Sequence, residues 1–86
     1  MNEQIERLRR ALIARGAKNV EVTLIDDGAT VCVKALFTRG TMGSNFWFYM
    51  PSPRASDADP IDLADEVLSV LRAEADRVFD QLGVRR

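Results

Sequence analysis

The sequence predicts a two-layer α+β domain in the chain order α-β-β-β-α, a three-stranded antiparallel sheet with both helices on one face. Three observations carry that expectation. Apolar residues recur at helical spacing at both ends of the chain, they alternate on either side of an Asp-Gly pair in the middle, and an aromatic run then stops at two prolines. The length of 86 residues makes this one domain, 1–86, able to bury roughly 60–65% of its unfolded surface.

The first helix is expected over residues 2–15. Met1, Ile5, Leu8 and Leu12 share one face, while Arg7 and Arg10 lie away from it. Asn2 suits the cap, Glu3 and Glu6 suit the positive end of the helix dipole, and Arg15 suits the negative end. Gly16 is placed to end the helix in a left-handed conformation.

The period then shortens to two. Strands are expected over 19–26 and 29–38, joined by Asp27-Gly28, a pair that tolerates positive φ at both central positions of a hairpin turn. Counting outward from that turn sets Ile25 against Thr30, Leu24 against Val31, Thr23 against Cys32, Val22 against Val33 and Glu21 against Lys34. One face is then wholly apolar and the other carries an opposite-charge pair. Residues 38–44, with paired glycines and small polar side chains, read as a loop. The aromatic stretch 45–50 reads as a third strand, ended by Pro51 and Pro53.

Residues 51–59 read as a mobile connector. The last helix is expected over 60–82, with Asp59 as cap, Pro60 in the first turn, and Gly83 and an Arg85-Arg86 tail after it. Ile61, Ala64, Leu68, Leu71, Ala75, Val78 and Leu82 keep a three-four spacing, widened at first by Leu63, Val67 and Val70. This helix spans about 34 Å, against about 20 Å for a six-residue strand, so its far end is expected to overhang the sheet. The expected core is Ile5, Leu8, Leu12, Val20, Val22, Leu24, Val31, Val33, Phe37, Phe46, Phe48, Leu68 and Leu71.

Composition narrows the chemistry. The chain has no histidine, which removes the commonest general base and transition-metal ligand. Its single cysteine, Cys32, excludes an internal disulfide and suits a reducing compartment. No apolar run has the length of a membrane span and the first residues form no secretory signal, so a cytoplasmic protein with no membrane partner is expected. Asp57, Asp59, Asp62, Asp65 and Glu66 lack the spacing of a calcium loop and suit helix capping instead. No cofactor, metal site or catalytic set is expected, and the chain is read as not an enzyme.

Net charge is −1, so the chain as a whole advertises neither nucleic acid nor an anionic membrane. Charge is nonetheless segregated. Arg7, Arg9, Arg10, Arg15 and Lys18 face only Glu3 and Glu6 in the first 18 residues, while residues 51–86 hold five arginines and eight acids. Two neighbouring helices that offset each other would account for this. Gly40-Thr41-Met42-Gly43 spells a G-x-x-G string, but it joins two strands rather than two helices and has only Arg39 beside it. The element order is similar to that of double-stranded-RNA-binding domains, which carry lysines at the start of the second helix. Here that position carries the five acids named above, which would repel phosphates. Nucleic-acid binding through the basic first helix is therefore the least favoured partner reading.

The remaining feature is the outer face of the sheet. If Phe46, Phe48 and Met50 point inward, Trp47 and Tyr49 point outward beside Ile25, Leu36 and Cys32. That makes Ile25, Leu36, Trp47 and Tyr49 a candidate interaction surface. Leu71, Ala75, Val78 and Leu82 are a second candidate, a helix seam that could pair with a copy of itself if it does not pack against the first helix. The expected function is a protein-interaction module that forms a homodimer through one of these surfaces. The alternative is a phage- or plasmid-type inhibitor or adaptor bound to a larger protein. Whether residues 51–58 fold over the aromatic patch is left open by the sequence.

Overall fold

A computed structural model describes residues 2–85; Met1 and Arg86, assigned above to the first helix face and to the tail, lie outside the described residues. The elements are α1 (Asn2–Ala14), β1 (Lys18–Ile25), β2 (Thr30–Arg39), β3 (Met42–Pro51), α2 (Ser52–Asp57) and α3 (Pro60–Gln81). The strands form one antiparallel sheet in the order β1-β2-β3. The α+β fold read from the sequence is the fold observed, with the additional short helix α2 and a single 3-10 turn at Asp26–Gly28.

The first hairpin closes as its turn residues require. Asp27 and Gly28 have φ of 55° and 88°, and Ala29 N–H donates to Asp26 O at 3.0 Å. Asp26 is left-handed too, so the ladder stops at Ile25 and Thr30, one residue short of the expected strand ends at 26 and 29. From there the register is the one counted from the sequence, through Glu21 opposite Lys34. Between Glu21 and Lys18 the strand carries one extra residue, with Asn19 left-handed at φ 51°. Such a bulge bends the strand and increases its twist.

The second hairpin departs from expectation. Residues 38–44 are not a loop: the ladder runs on to Arg39 opposite Met42, leaving only Gly40-Thr41 as the turn. Gly40 has φ 61° and Thr41 is not left-handed, the sign pattern of a type II′ turn. Small polar residues suit that ladder because it is built from backbone bonds. β2 and β3 are therefore ten residues each, about 33 Å long, which matches the about 33 Å of the 22-residue α3. The predicted overhang of the helix end is absent.

What fastens the far end of α3 is Arg39. Its guanidinium donates to Asp80 Oδ1 at 2.6 Å, Asp76 Oδ1 at 2.7 Å and Val84 O at 3.3 Å, and lies 5.3 Å from the centre of the Phe79 ring. It is the one buried charged residue among those described. Phe79 in turn meets Phe46 edge-on at 6.0 Å, and Phe46 meets Phe37 at 5.9 Å.

Both long helices end as read. Asp59 accepts from Ile61 N–H at 2.8 Å and Asp62 N–H at 3.3 Å, with Pro60 behind it. Gly16 and Gly83 are left-handed, and Ala17 and Val84 N–H bond back to Leu12 O and Phe79 O.

The core lies between the sheet and the helices. It contains Leu8, Leu12, Val22, Val31, Val33, Phe46, Leu68 and Leu71 as expected, and also Met50, Ala55, Leu63, Val67, Ala75 and Phe79. Ile5, Val20, Phe37 and Phe48 pack against it partly buried. Leu24 is the exception: on an edge strand one rung from the turn, it is left exposed by the helix layer. In α3 the buried stripe ends on Phe79, and Ile61, Val70 and Leu82 are exposed.

The expected mobile connector is also corrected. Pro51 ends β3 and residues 52–57 form α2, whose Ala55 is buried in the core. Gln4 Nε2 donates to Ala55 O at 3.1 Å and Ala58 O at 2.8 Å. Ser52 Oγ donates to Gly28 O at 2.5 Å. These bonds hold α2 on the helix side of the sheet.

Two substitutions test this account. Phe79→Ala should cost about 3–5 kcal/mol of unfolding free energy, the usual range for emptying a buried aromatic site. Arg39→Gln should lower Tm by roughly 5–10 °C, while Arg54→Gln, which removes an exposed ion pair to Glu66, should leave it nearly unchanged. Thermal unfolding followed by circular dichroism reads both.

Candidate functional site: the outer face of the sheet

Side chains alternate across a strand, so the buried set fixes the exposed one. With Val31, Val33, Ala35, Phe46 and Met50 under the helices, the opposite face presents Glu21, Thr23 and Ile25 from β1, then Cys32, Lys34 and Leu36 from β2. Asn45, Trp47 and Tyr49 complete it from β3. Trp47 and Tyr49 are 52% and 58% exposed, so neither is covered by α2 or by any other element.

The four predicted residues all lie on this face, but not as one cluster. Trp47 stands directly across from Lys34 and Tyr49 across from Cys32, while Leu36, opposite Asn45, is the diagonal neighbour of Trp47. These form a continuous group on two strands. Ile25 lies on the other edge strand next to the turn, and meets this group only through its diagonal neighbour Cys32. Between them Lys34 Nζ meets Glu21 Oε2 at 3.1 Å, so the only opposite charges predicted to face each other across this sheet do so. The face is aromatic along β3 and polar along β1.

The helix seam is not available. Leu71 and Ala75 are buried in the protein's own core and Val78 is partly buried against it. Only Leu82 is open. Strands as long as the helix, together with α1, cover its apolar stripe as far as Phe79.

The basic residues of α1 are engaged as well. Arg7 meets Glu3 at 2.6 Å, Arg9 and Arg10 meet Glu6 at 2.5 and 3.3 Å, and Arg15 meets Asp65 on α3. Arg7, Arg10 and Arg15 border a hollow between α1 and the start of α3, floored by Ala11, Pro60 and Ile61. The Arg9 hydrogen bond holds the Glu6 carboxyl below its ordinary value, the Arg15 bond does so for Asp65, and the Arg77 bond for Glu74. Of the acids at the start of α3, Asp59 caps the helix, Asp65 pairs with Arg15 and Glu66 pairs with Arg54.

Among the described residues no group of three or more His, Cys, Asp or Glu side chains could hold a metal ion. No helix described is long and apolar enough to cross a membrane. Two features were missed by sequence reasoning: the Arg39 fork, hidden in a stretch read as loop, and a groove flanking β3, lined by Trp47 and by Val70, Ala73, Glu74 and Arg77 of α3. The exposed Val70 on an otherwise apolar flank was the available signal for the groove.

Comparison with protein families, with characterised proteins and with solved structures finds no match to this chain.

Lowered carboxyl values have a definite consequence for acid stability. A group whose pKa is lowered on folding contributes stability above its unfolded value and loses it as pH falls through the folded value. Glu6, Asp65 and Glu74 should therefore destabilise the fold progressively below about pH 4. In Arg15→Gln the Asp65 share should vanish, and urea midpoints at neutral pH and in acid should differ less than in the parent.

Proposed function

We propose that this chain is a non-enzymatic protein-interaction module that self-associates through the outer face of its sheet. The observation carrying this reading is the Trp47–Tyr49 pair, more than half exposed on a face that all three helices leave bare. Trp and Tyr join large apolar area to a polar tip and lose little rotamer freedom on contact, which is why they dominate the centres of protein interfaces. The half-buried Leu36 and Cys32 extend the surface inward along β2. The Glu21–Lys34 pair borders it without leaving an unmatched charge to desolvate.

An isologous dimer suits such a face because each aromatic can meet its own copy or its neighbour across a two-fold axis. The reading as a module without chemistry of its own draws on two observations. The chain has no histidine, and many of its carboxylates serve caps and ion pairs within the fold.

Sedimentation velocity over a concentration series tests this. The parent should shift toward a dimer as concentration rises, and Trp47→Asp should weaken association by about 2 kcal/mol or more, with an unchanged circular dichroism spectrum. A chain that stays monomeric throughout the series overturns self-association.

A further inference from the structure

Two helices packed side by side form a layer about 20 Å wide. Three strands spaced about 4.8 Å apart span only about 14 Å. In this fold α1 packs on β1 and α3 on β3, with the helices also in contact. The helix layer is therefore wider than the sheet beneath it. At β3 the excess is visible. Trp47 projects from the outer face, yet it shares a groove of about 540 Å³ with Val70, Leu71, Ala73, Glu74 and Arg77 of α3. A side chain below the sheet and a helix above it can line one groove only beyond the edge strand. The groove therefore runs beside the open edge of β3 at Trp47.

The edge is equipped for pairing. Ser52 N–H donates to Ala29 O, so the backbone at 52 points toward β2. Counting back by twos, residues 50, 48, 46, 44 and 42 do the same, and the N–H and C=O groups of Gly43, Asn45, Trp47 and Tyr49 point outward. Pro51, which has no N–H, falls on the outward side, where a proline does not break the ladder. β3 contains no charged residue, and its register with β2 is unbroken. The opposite edge differs on every point: β1 carries Lys18, Glu21, a bulge and a left-handed Asn19. Those are the devices by which native sheets prevent pairing at an edge. β1 has charge and a bulge; β3 has only Pro51, at its far end.

We propose that the slot between β3 and α3 takes up one extended, uncharged segment of a partner protein as a fourth strand. The outward backbone groups select a strand, since only another extended backbone matches their spacing. Alternate side chains of that strand would meet Val70, Ala73 and Leu71 on one side and flank Trp47 on the other. The rim favours an uncharged segment because Arg77 and Glu74 already neutralise each other. Four strands span about 19 Å, the width of the two-helix layer. A second copy does not fit edge to edge, because it would bring its own α3 into the space the first α3 occupies. The slot shares Trp47 with the outer face, but strand uptake along the edge does not require self-association.

The test tethers a probe strand, a hexapeptide of alternating Thr and Val, to the end of the full chain through a flexible Gly-Ser linker of about ten residues. Arg85 lies beside Gly40 at the β2–β3 tip, within reach of the slot. Amide exchange at Asn45, Trp47 and Tyr49 should slow at least tenfold, while residues 44, 46 and 48, already bonded to β2, should not change. A tether alternating Lys and Glu should give no such protection. Val70→Glu, at an exposed position, should abolish the protection with the fold intact, and Ile25→Asp should not. Exchange at residues 45, 47 and 49 that is unaffected by the Thr-Val strand overturns the proposal, even if the protein dimerises. Protection that survives Val70→Glu but not Ile25→Asp overturns it too, by placing the strand elsewhere.

Discussion

Arg39 stands where the two longest strands run out of apolar side chains. The last rungs of the β2–β3 ladder pair Phe37 with Ser44, Thr38 with Gly43 and Arg39 with Met42, and backbone bonds alone would hold such a tip loosely. The guanidinium changes that by entering between Asp76 and Asp80, one turn apart on α3, against the Phe79 ring. Charge-assisted bonds in a fixed fork specify orientation as well as proximity. The hydrogen bond to Asp80, then that to Asp76, hold the guanidinium pKa above its ordinary value against the opposing effect of burial. Since α3 is set at its start by α1 and at its end by Arg39, the height of the helix over β3 depends on this contact.

That position makes the surface what it is. A shorter sheet would have left Leu71, Ala75 and Val78 uncovered at the helix end, and association through a helix seam would have been the natural reading. With ten-residue strands the apolar stripe of α3 is consumed inside the molecule. The exposed aromatic area lies along β3 instead, at Trp47 and Tyr49. The two long helices, the ion pairs of α1 and the acidic start of α3 then compose a polar exterior whose charges are largely matched within the chain.

Local chemistry was legible in the residues and distant chemistry was not. The Asp27-Gly28 turn set the register of the first hairpin from Ile25–Thr30 to Glu21–Lys34, and through it the faces of β2 and of β1 up to the bulge, because strand periodicity carries one fixed point a long way. Asp59-Pro60, Gly16 and Gly83 marked helix ends by their own backbone preferences. The β2–β3 tip was misread because Gly, Ser and Thr look like loop when a strand has no apolar alternation to show. α2 was missed because its six residues include a proline and are tied down by Gln4, far away in sequence. The Arg39 fork joins residues some forty positions apart, a pairing no local pattern announces. Of the candidate surface, the orientation of Trp47 and Tyr49 was legible from alternation; the groove beside them needed the placement of α3.

The bulge at Lys18–Glu21 has a bearing on assembly beyond its own strand. A sheet with two receptive edges can pass pairing from molecule to molecule without end, and the product is a fibre. Here one margin is bent and charged, which disfavours pairing there, so a strand added at the other margin would have no equivalent edge on this molecule to continue from. Growth by strand addition terminates after a single step, and the molecule can keep one sticky edge without the hazard of polymerising through it.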